Sequence, residues 1–254
     1  MTIERDEAIN AQPDSEVRRV LREIELMVCL TSPFCIIPAA GLGTRMGELC
    51  KDTPKCLLEV NGKPLVRHVV DYWRERANQI IVVLPPGTRI PLPPKVMCVE
   101  QSSPVGPVDA VLLALGEVRC PRNFMVALGD CLCDGAFDFD FGTAGLPVYS
   151  YNGLAVKRDP TGELGRSYSV QVEGLVAPDF TSPYVTAVTE KPGLGMGFYW
   201  FGWEALLHLE ACREKSITEV YARMIEHGVP VRPVWFEGRY LNVTYPEDLT
   251  RWPG

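Results

Sequence analysis

The apolar segment Phe34–Pro38 runs into the glycine-rich loop Gly41–Gly47, with the sequence GLGTRMG. The apolar run predicts a buried strand, and glycines let backbone N–H groups approach an anion without an intervening Cβ. Two cations lie in the same stretch, Arg45 and Lys55, and Pro54 fixes the backbone just before the lysine. This pattern predicts a loop that holds a polyphosphate and two side chains that neutralise it.

The glycine spacing of this loop differs from two common phosphate-binding motifs. The loop has the pattern G-x-G-x-x-x-G, whereas a dinucleotide-binding fingerprint needs G-x-G-x-x-G at the start of a helix. We expect no helix directly after the loop. A P-loop needs G-x-x-x-x-G-K-[ST], which this segment lacks. The spacing therefore disfavours a dinucleotide-dependent dehydrogenase, while an ordinary glycine loop with an incidental arginine stays open on the motif alone.

Strand-like and helix-like patterns alternate from residue 34 to 128, which is typical of a parallel sheet with helices on both faces. After Asp130 the patterns are mostly strand-like, and we expect a mixed or antiparallel region that forms one wall of a cleft. The predicted fold is α/β, a Rossmann-like doubly wound sheet that is mixed but mostly parallel, with a smaller antiparallel region. Strands are predicted at Phe34–Pro38, Ile80–Leu84, Val96–Val99, Phe124–Leu128, Leu154–Lys157, Tyr168–Glu173, Tyr184–Glu190, Gly197–Phe201, Val231–Phe236 and Tyr240–Val243, and helices at 64–77, 107–118, 203–214, 218–228 and 246–251.

The first 33 residues differ from the rest of the chain. Residues 1–13 are polar, and Asp14 and Ser15 can cap a helix over residues 15–30 whose apolar side chains recur at helical spacing. We therefore predict an N-terminal extension with a helix, residues 1–33, and one domain, residues 34–254. We expect this helix to pack on the domain, and a dimer contact in a homo-oligomer is the alternative.

The composition narrows the environment and the partners. Hydrophobic residues make up 46% of the 254 residues, and 25 basic against 32 acidic residues leave a net charge of −7. An acidic surface disfavours nucleic acid and anionic membranes as partners. The nine cysteines follow no zinc or disulfide spacing. With no signal peptide and no membrane-spanning run in the sequence, we expect a cytoplasmic protein.

Polar residues follow three of the predicted parallel strands. Gly41 comes after the first strand, Gln101 after the third, and Asp130 after Phe124–Leu128. Ligands of open parallel sheets bind outside the carboxyl ends of the strands. These three segments are therefore expected to face one crevice.

Several short motifs follow one another between about residue 34 and residue 250. They are AAGLGTR (Ala39–Arg45), TPK (Thr53–Lys55), KPL (Lys63–Leu65), Gln101 with Gly106, LGD (Leu128–Asp130), EKP (Glu190–Pro192), Gly197 and LNVTYPEDL (Leu241–Leu249). Taken in this order, they resemble the sugar nucleotidyltransferase family, also called nucleotide-sugar pyrophosphorylases. The resemblance implies transfer of a nucleoside monophosphate from an NTP to a sugar 1-phosphate, with release of pyrophosphate and with Mg²⁺ as cofactor.

The resemblance also implies individual roles. Arg45 would hold the β and γ phosphates, Lys55 the α-phosphate and Lys191 the acceptor phosphate. Asp130 would bind Mg²⁺, and the second metal position falls on Asn242, where many members carry Asp. The residues implied to bind substrate are Ala39, Ala40, Gly41, Leu42, Gly43, Thr44, Gln101, Gly106, Glu190 and Gly197.

The base and the acceptor are less constrained. The Gln101 amide can pair with both an N–H and a C=O, which suits uracil or thymine and also serves cytosine, so we favour a pyrimidine triphosphate. Ser169 stands where sugar-specific members commonly carry glycine, and Thr189 where many carry an acid. Because Lys55–Leu65 resembles the cytidylyltransferase branch, phosphocholine or another alcohol or alditol phosphate is an alternative acceptor. A non-catalytic nucleotide-sugar-binding regulatory subunit is a further alternative.

Overall fold

A computed structural model describes residues 34–118, 123–138, 152–157, 169–173, 184–189 and 195–253, with the backbone alone for 169–173 and 184–189. Pro33–Gly254 form one structural unit. The helix predicted at residues 15–30 lies outside the described residues, so the division of the chain at residue 33 stays a prediction. Within the described part, no helix is long and apolar enough to cross a membrane.

The described elements alternate as the sequence predicts in the first half of the domain and then become mostly strands. The strands are β1 (Phe34–Pro38), β2 (Glu59–Val60), β3 (Lys63–Pro64), β4 (Gln79–Leu84), β5 (Val96–Glu100), β6 (Phe124–Ala127), β7 (Cys131–Phe137), β8 (Gly153–Lys157), β9 (Ser169–Glu173), β10 (Tyr184–Thr189), β11 (Gly195–Phe201) and β12 (Arg232–Asn242). The helices are α1 (Leu65–Trp73), α2 (Pro107–Gly116), α3 (Ala205–Ala211) and α4 (Ile217–Glu226), and short 3-10 helices lie at Thr44–Cys50, Lys55–Leu57 and Pro246–Thr250.

Eight of the described strands form one sheet in the order β5-β4-β1-β6-β11-β8-β12-β7. The first four are parallel to one another. β11 then runs antiparallel to both β6 and β8. β12 is parallel to β8 and antiparallel to β7. The predicted mixed sheet is confirmed, and the β9–β10 pair forms a separate, smaller antiparallel sheet.

Both faces of the sheet are buried. Successive residues of a strand point to opposite faces, so Cys35 and Ile37 of β1 pack into one cluster with Trp73 of α1. Ile36 of β1 packs on the other face with Val111 of α2. Helices therefore cover the sheet on both sides, which confirms the doubly wound arrangement.

Some predicted boundaries are wrong. The two late strands are one strand, because β12 continues through Gly238, which lies opposite Gly135 of β7. Most of the strands after Asp130 belong to the main sheet, where β11, β8, β12 and β7 form its mixed half. The helix predicted at 64–77 ends as an α-helix at Trp73. A kinked 3-10 helix also begins within the glycine loop at Thr44, against the expectation that no helix follows it.

Candidate active site

A cavity of about 420 Å³ opens at the carboxyl ends of β1, β5 and β6. Three segments that are distant in sequence form its wall: the glycine loop after β1, Gln101 after β5, and Leu128–Asp130 after β6. The predicted site residues that line it are Ala39, Ala40, Gly41, Leu42, Gly43, Thr44, Lys55, Gln101, Gly106 and Asp130.

The glycine loop presents its backbone to this cavity. Among the described residues, none accepts a hydrogen bond from the backbone amides of Gly41, Leu42 or Gly43. Gly43 has a φ of +63°, and a Cβ built on it would lie 2.6 Å from Sγ of Cys50 and 2.9 Å from Cβ of Lys55. Glycine thus satisfies both the left-handed conformation and the close packing. The three amides remain available to an anion.

Lys55 and Asp130 form an ion pair at the wall of the cavity. Nζ of Lys55 donates to Oδ2 of Asp130 at 2.5 Å, and the two side chains are 15% and 29% exposed. The β6 end packs tightly on the β1 end: Gly129 N donates to Pro38 O at 3.0 Å, and a Cβ on Gly129 would lie 2.8 Å from that of Ala39. This close approach places the Asp130 carboxylate within reach of Lys55.

Asn242 lies on the neighbouring strand beside Asp130. Val243 N donates to Asp130 O at 2.9 Å, and Asn242 pairs with Cys131 in the β7–β12 ladder. The described residues contain no group of three His, Cys, Asp or Glu side chains that would form a metal cage. Mg²⁺ commonly binds through one or two carboxylates together with substrate phosphates and water. One carboxylate and one amide oxygen fit that mode.

Beside Asp130, two buried side chains support the strand ends. Tyr240 Oη accepts from Gly197 N at 3.1 Å and lies 3.3 Å from Cys131 Sγ. Burial, followed by the nearby Asp130 charge, raises the pKa of the Cys131 thiol well above its ordinary value of 9.0. Burial also raises the pKa of Tyr240 well above 10.0. Both groups therefore stay protonated at neutral pH, and the thiol is no nucleophile.

Gln101 occupies the opposite side of the cavity. Its backbone N donates to Leu84 O at 2.9 Å, and its side chain is buried. Its Nε2 donates to Oδ2 of Asp109 at 2.8 Å, and Oδ1 of Asp109 accepts from Nη1 of Arg213 at 2.9 Å. Asp109 is not among the predicted site residues. Its position in the first turn of a helix that begins with proline is the available signal.

Residues 35–135 match the model of the MobA-like NTP transferase domain. A relative that matches most of this chain is a uridylyltransferase. The chain is 28% identical over 244 residues to UTP–glucose-1-phosphate uridylyltransferase AglF of Haloferax volcanii, an alignment that covers 84% of this chain and 92% of AglF.

Two further relatives match parts of their own length. The bifunctional protein GlmU of Lawsonia intracellularis is 27% identical over 251 residues, which cover 87% of this chain and 51% of GlmU. Choline-phosphate cytidylyltransferase of Streptococcus pneumoniae is 44% identical over 50 residues, 19% of this chain and 22% of that protein. The chain thus spans about half of GlmU and less of the cytidylyltransferase.

Solved structures agree with the sheet described above. The fold is similar to that of a UDP-glucose pyrophosphorylase complexed with UDP-glucose, with a TM-score of 0.70 and 18% identity, over 87% of this chain and 96% of that one. At this identity the likeness establishes the nucleotidyltransferase fold.

The remaining predicted site residues lie elsewhere. Arg45 is exposed on the 3-10 helix and does not line the cavity. Gly197 is buried in β11, where its carbonyl accepts from Leu128 N at 2.9 Å and a Cβ would overlap Sγ of Cys131. It therefore supports Leu128–Asp130 from below. Glu190 and Lys191 lie outside the described residues, as does the side chain of Ser169.

Proposed function

We propose that this protein transfers a nucleoside monophosphate from a pyrimidine triphosphate to a sugar 1-phosphate and releases pyrophosphate. The observation that carries the proposal is the Lys55–Asp130 pair, which lies in one cavity with three loop amides that bond to none of the described residues. The pair offers one positive group for phosphate and one carboxylate for a metal. The uridylyltransferase relative, aligned over 92% of its length, supports the same activity.

The donor phosphates are proposed to lie on the glycine loop. The amides of Gly41–Gly43 and the Lys55 ammonium would hold them, while Arg45, exposed on the adjoining 3-10 helix, would stabilise the leaving pyrophosphate. Mg²⁺, held by oxygens of Asp130 and Asn242, would supply further neutralisation of the phosphate charge. Lys55 would exchange its carboxylate partner for the α-phosphate.

The acceptor phosphate would attack the α-phosphorus in line with the departing pyrophosphate. A phosphate monoester is already ionised near neutral pH, so the step needs no general base. It depends on positioning and on charge neutralisation. We propose that Lys191 holds the acceptor phosphate and Glu190 its hydroxyl groups.

Pyrophosphate release tests the proposal. The screen crosses the common triphosphates with sugar 1-phosphates, phosphocholine and alditol phosphates in the presence of Mg²⁺. Lys55→Ala and Asp130→Ala should each lower turnover at least about 100-fold, because both remove charge stabilisation at the reacting phosphates. Lys51→Ala and Asp134→Ala remove exposed charges nearby and should leave turnover unchanged. Full activity of either Lys55→Ala or Asp130→Ala contradicts the proposal.

A second candidate is a cytidylyltransferase that acts on phosphocholine or another alcohol phosphate. The 44% identity over 50 residues to choline-phosphate cytidylyltransferase favours it. In the same screen it predicts turnover with CTP and phosphocholine and none with sugar 1-phosphates. Binding of nucleotide without turnover on any acceptor would instead support a regulatory subunit.

A further inference from the structure

A chain of three side chains runs from the cavity to the surface. Gln101, which is 4% exposed, donates through Nε2 to Asp109, and Asp109 accepts in turn from Arg213. Solvent exposure rises from Gln101 outward, since the Asp109 side chain is 18% exposed and that of Arg213 is 49% exposed. The buried end lines the cavity and the exposed end lies between α3 and α4.

Asp109 fixes the orientation of the Gln101 side-chain amide. An ionised carboxylate only accepts hydrogen bonds, so it must face the NH₂ group and not the carbonyl oxygen. One amide hydrogen is therefore committed to Asp109. The carbonyl oxygen and the second amide hydrogen remain, and no described residue donates to that oxygen. A neutral side chain at position 109 would allow either orientation of the amide.

The segment that carries Arg213 also supports the backbone on this side of the cavity. A Cβ built on Gly106 would lie 3.3 Å from the carbonyl oxygen of Lys215. Gly106 immediately precedes α2, and Asp109 lies in the first turn of α2. The connection between α3 and α4 thus contacts both the side chain that orients Gln101 and the backbone next to it.

We infer that Asp109 is a positioning residue that fixes the Gln101 amide for reading the nucleobase, and that Arg213 fixes Asp109. The inference rests on the proposed function, because it takes the cavity to hold a nucleoside triphosphate. Selection of the base would then depend on fixed positions of the carbonyl oxygen, which accepts, and of the second amide hydrogen, which is donated, on Gln101. A residue of the α3–α4 connection would also take part in that selection.

Equilibrium binding tests the inference without requiring turnover. Calorimetry gives dissociation constants of the wild type and of Asp109→Asn for UTP, CTP, dTTP, ATP and GTP with Mg²⁺, and for inorganic tripolyphosphate. The preference of the wild type is the ratio of its dissociation constants for the other triphosphates to that for the best one. Asp109→Asn should reduce this ratio by about tenfold, which corresponds to the loss of one hydrogen bond to the base. Its affinity for tripolyphosphate should stay within about twofold, because the loop and Lys55 are untouched.

Two further variants separate orientation from folding. Arg213→Ala should reduce the same ratio by about threefold, because the Asp109 carboxylate then loses its ion pair with Arg213 and is held less rigidly. Glu210→Ala removes only the other partner of Arg213, at an exposed position, and should change nothing. If Asp109→Asn does not fold, Arg213→Ala decides the question, because its side chain is half exposed.

The outcomes distinguish this inference from the proposed function. A wild type that binds triphosphates with base preference but transfers nothing overturns the proposed function alone. Unchanged base ratios in Asp109→Asn, or an equal loss of affinity for all triphosphates and for tripolyphosphate, overturn the inference alone. A wild type that binds no triphosphate overturns both.

Discussion

Two separate features of the structure require glycine at position 43. Its φ of +63° lies in the left-handed region, and the space beside its Cα is filled by Cys50 and Lys55. Gly87 has a similar φ of +70°, but a Cβ there would meet nothing within 4 Å. The two glycines therefore share one conformational requirement and differ in the second, which is packing against Cys50 and Lys55.

Alanine at these two positions should separate conformation from packing. Gly87→Ala should lower the free energy of unfolding by about 1 kcal/mol, the cost of a left-handed alanine. Gly43→Ala should lower it by about 2–4 kcal/mol, because overlap with Lys55 and Cys50 adds to that cost. Urea unfolding measures both. Only Gly43→Ala should also weaken tripolyphosphate binding, and equal losses in the two variants would contradict this explanation.

At the scale of elements, α1 is joined to the β2–β3 hairpin through Asp71. Lys63 of β3 lies 2.7 Å from this carboxylate, and Arg67 of α1 donates to it at 3.0 Å. Partial burial raises the pKa of Asp71, but the hydrogen bonds from Lys63 and Arg67 outweigh it and hold the pKa below its ordinary value of 3.8. The ionised form is therefore the one that stabilises the fold.

The lowered pKa sets a pH dependence. Asp71 contributes stability above its ordinary pKa of 3.8, and this contribution is lost as the pH falls through the lower folded pKa. Asp71→Asn should be less stable than wild type by about 0.5–1 kcal/mol at pH 7, a value reduced by solvent screening. The difference should shrink as the pH falls through the lowered folded pKa, because the carboxyl is then protonated in both states. Denaturant unfolding across this range measures it, with Glu75→Gln as an exposed control. A difference that persists at low pH would show that the charge is not its cause.

The elements differ in how well the sequence predicts them. β1, β4 and α2 are apolar segments ended by glycine, proline or polar residues, and their predicted limits lie within two residues of the observed ones. β7 was missed because Asp134 and Gly135 interrupt its apolar pattern. These residues are tolerated in the strand because β7 is at the edge of the sheet, where Gly135 lies opposite Gly238. Pairing of this kind depends on a partner more than 100 residues away.

The residues of the candidate site also differ in how well the local sequence predicts them. Gln101 and Asp130 follow strands, and the rule that ligands bind at the carboxyl ends of parallel strands places both at one cavity. Asp109 and Arg213 come into contact only when the α3–α4 connection packs on α2, so the local sequence does not predict this contact. The roles of all the predicted site residues stay predictions.

At the scale of the whole molecule, the residues that line the cavity lie between Pro38 and Asp130, while Asn242 lies near the end of the sequence. Ligand and metal would therefore tie together strands from both halves of the sheet. A ligand that binds only the folded state at 100 times its dissociation constant stabilises it by about 2.7 kcal/mol.

Saturating triphosphate with Mg²⁺ should raise the Tm by about 5–10 °C in a chain of this size. Differential scanning fluorimetry measures the shift. Asp130→Ala should lose the part of the shift that depends on Mg²⁺, and Asp134→Ala should keep it. A Tm that is insensitive to Mg²⁺ in the wild type would contradict the assigned metal position.

Under the proposed function, the Lys55–Asp130 pair also bears on the release of pyrophosphate. A carboxylate without a cationic partner would retain a metal–pyrophosphate product strongly. In the structure Lys55 lies 2.5 Å from Asp130, so an internal cation would compete with such a product for the same oxygen. This competition would lower the barrier to product release, and Lys55→Ala should then slow release as well as chemistry.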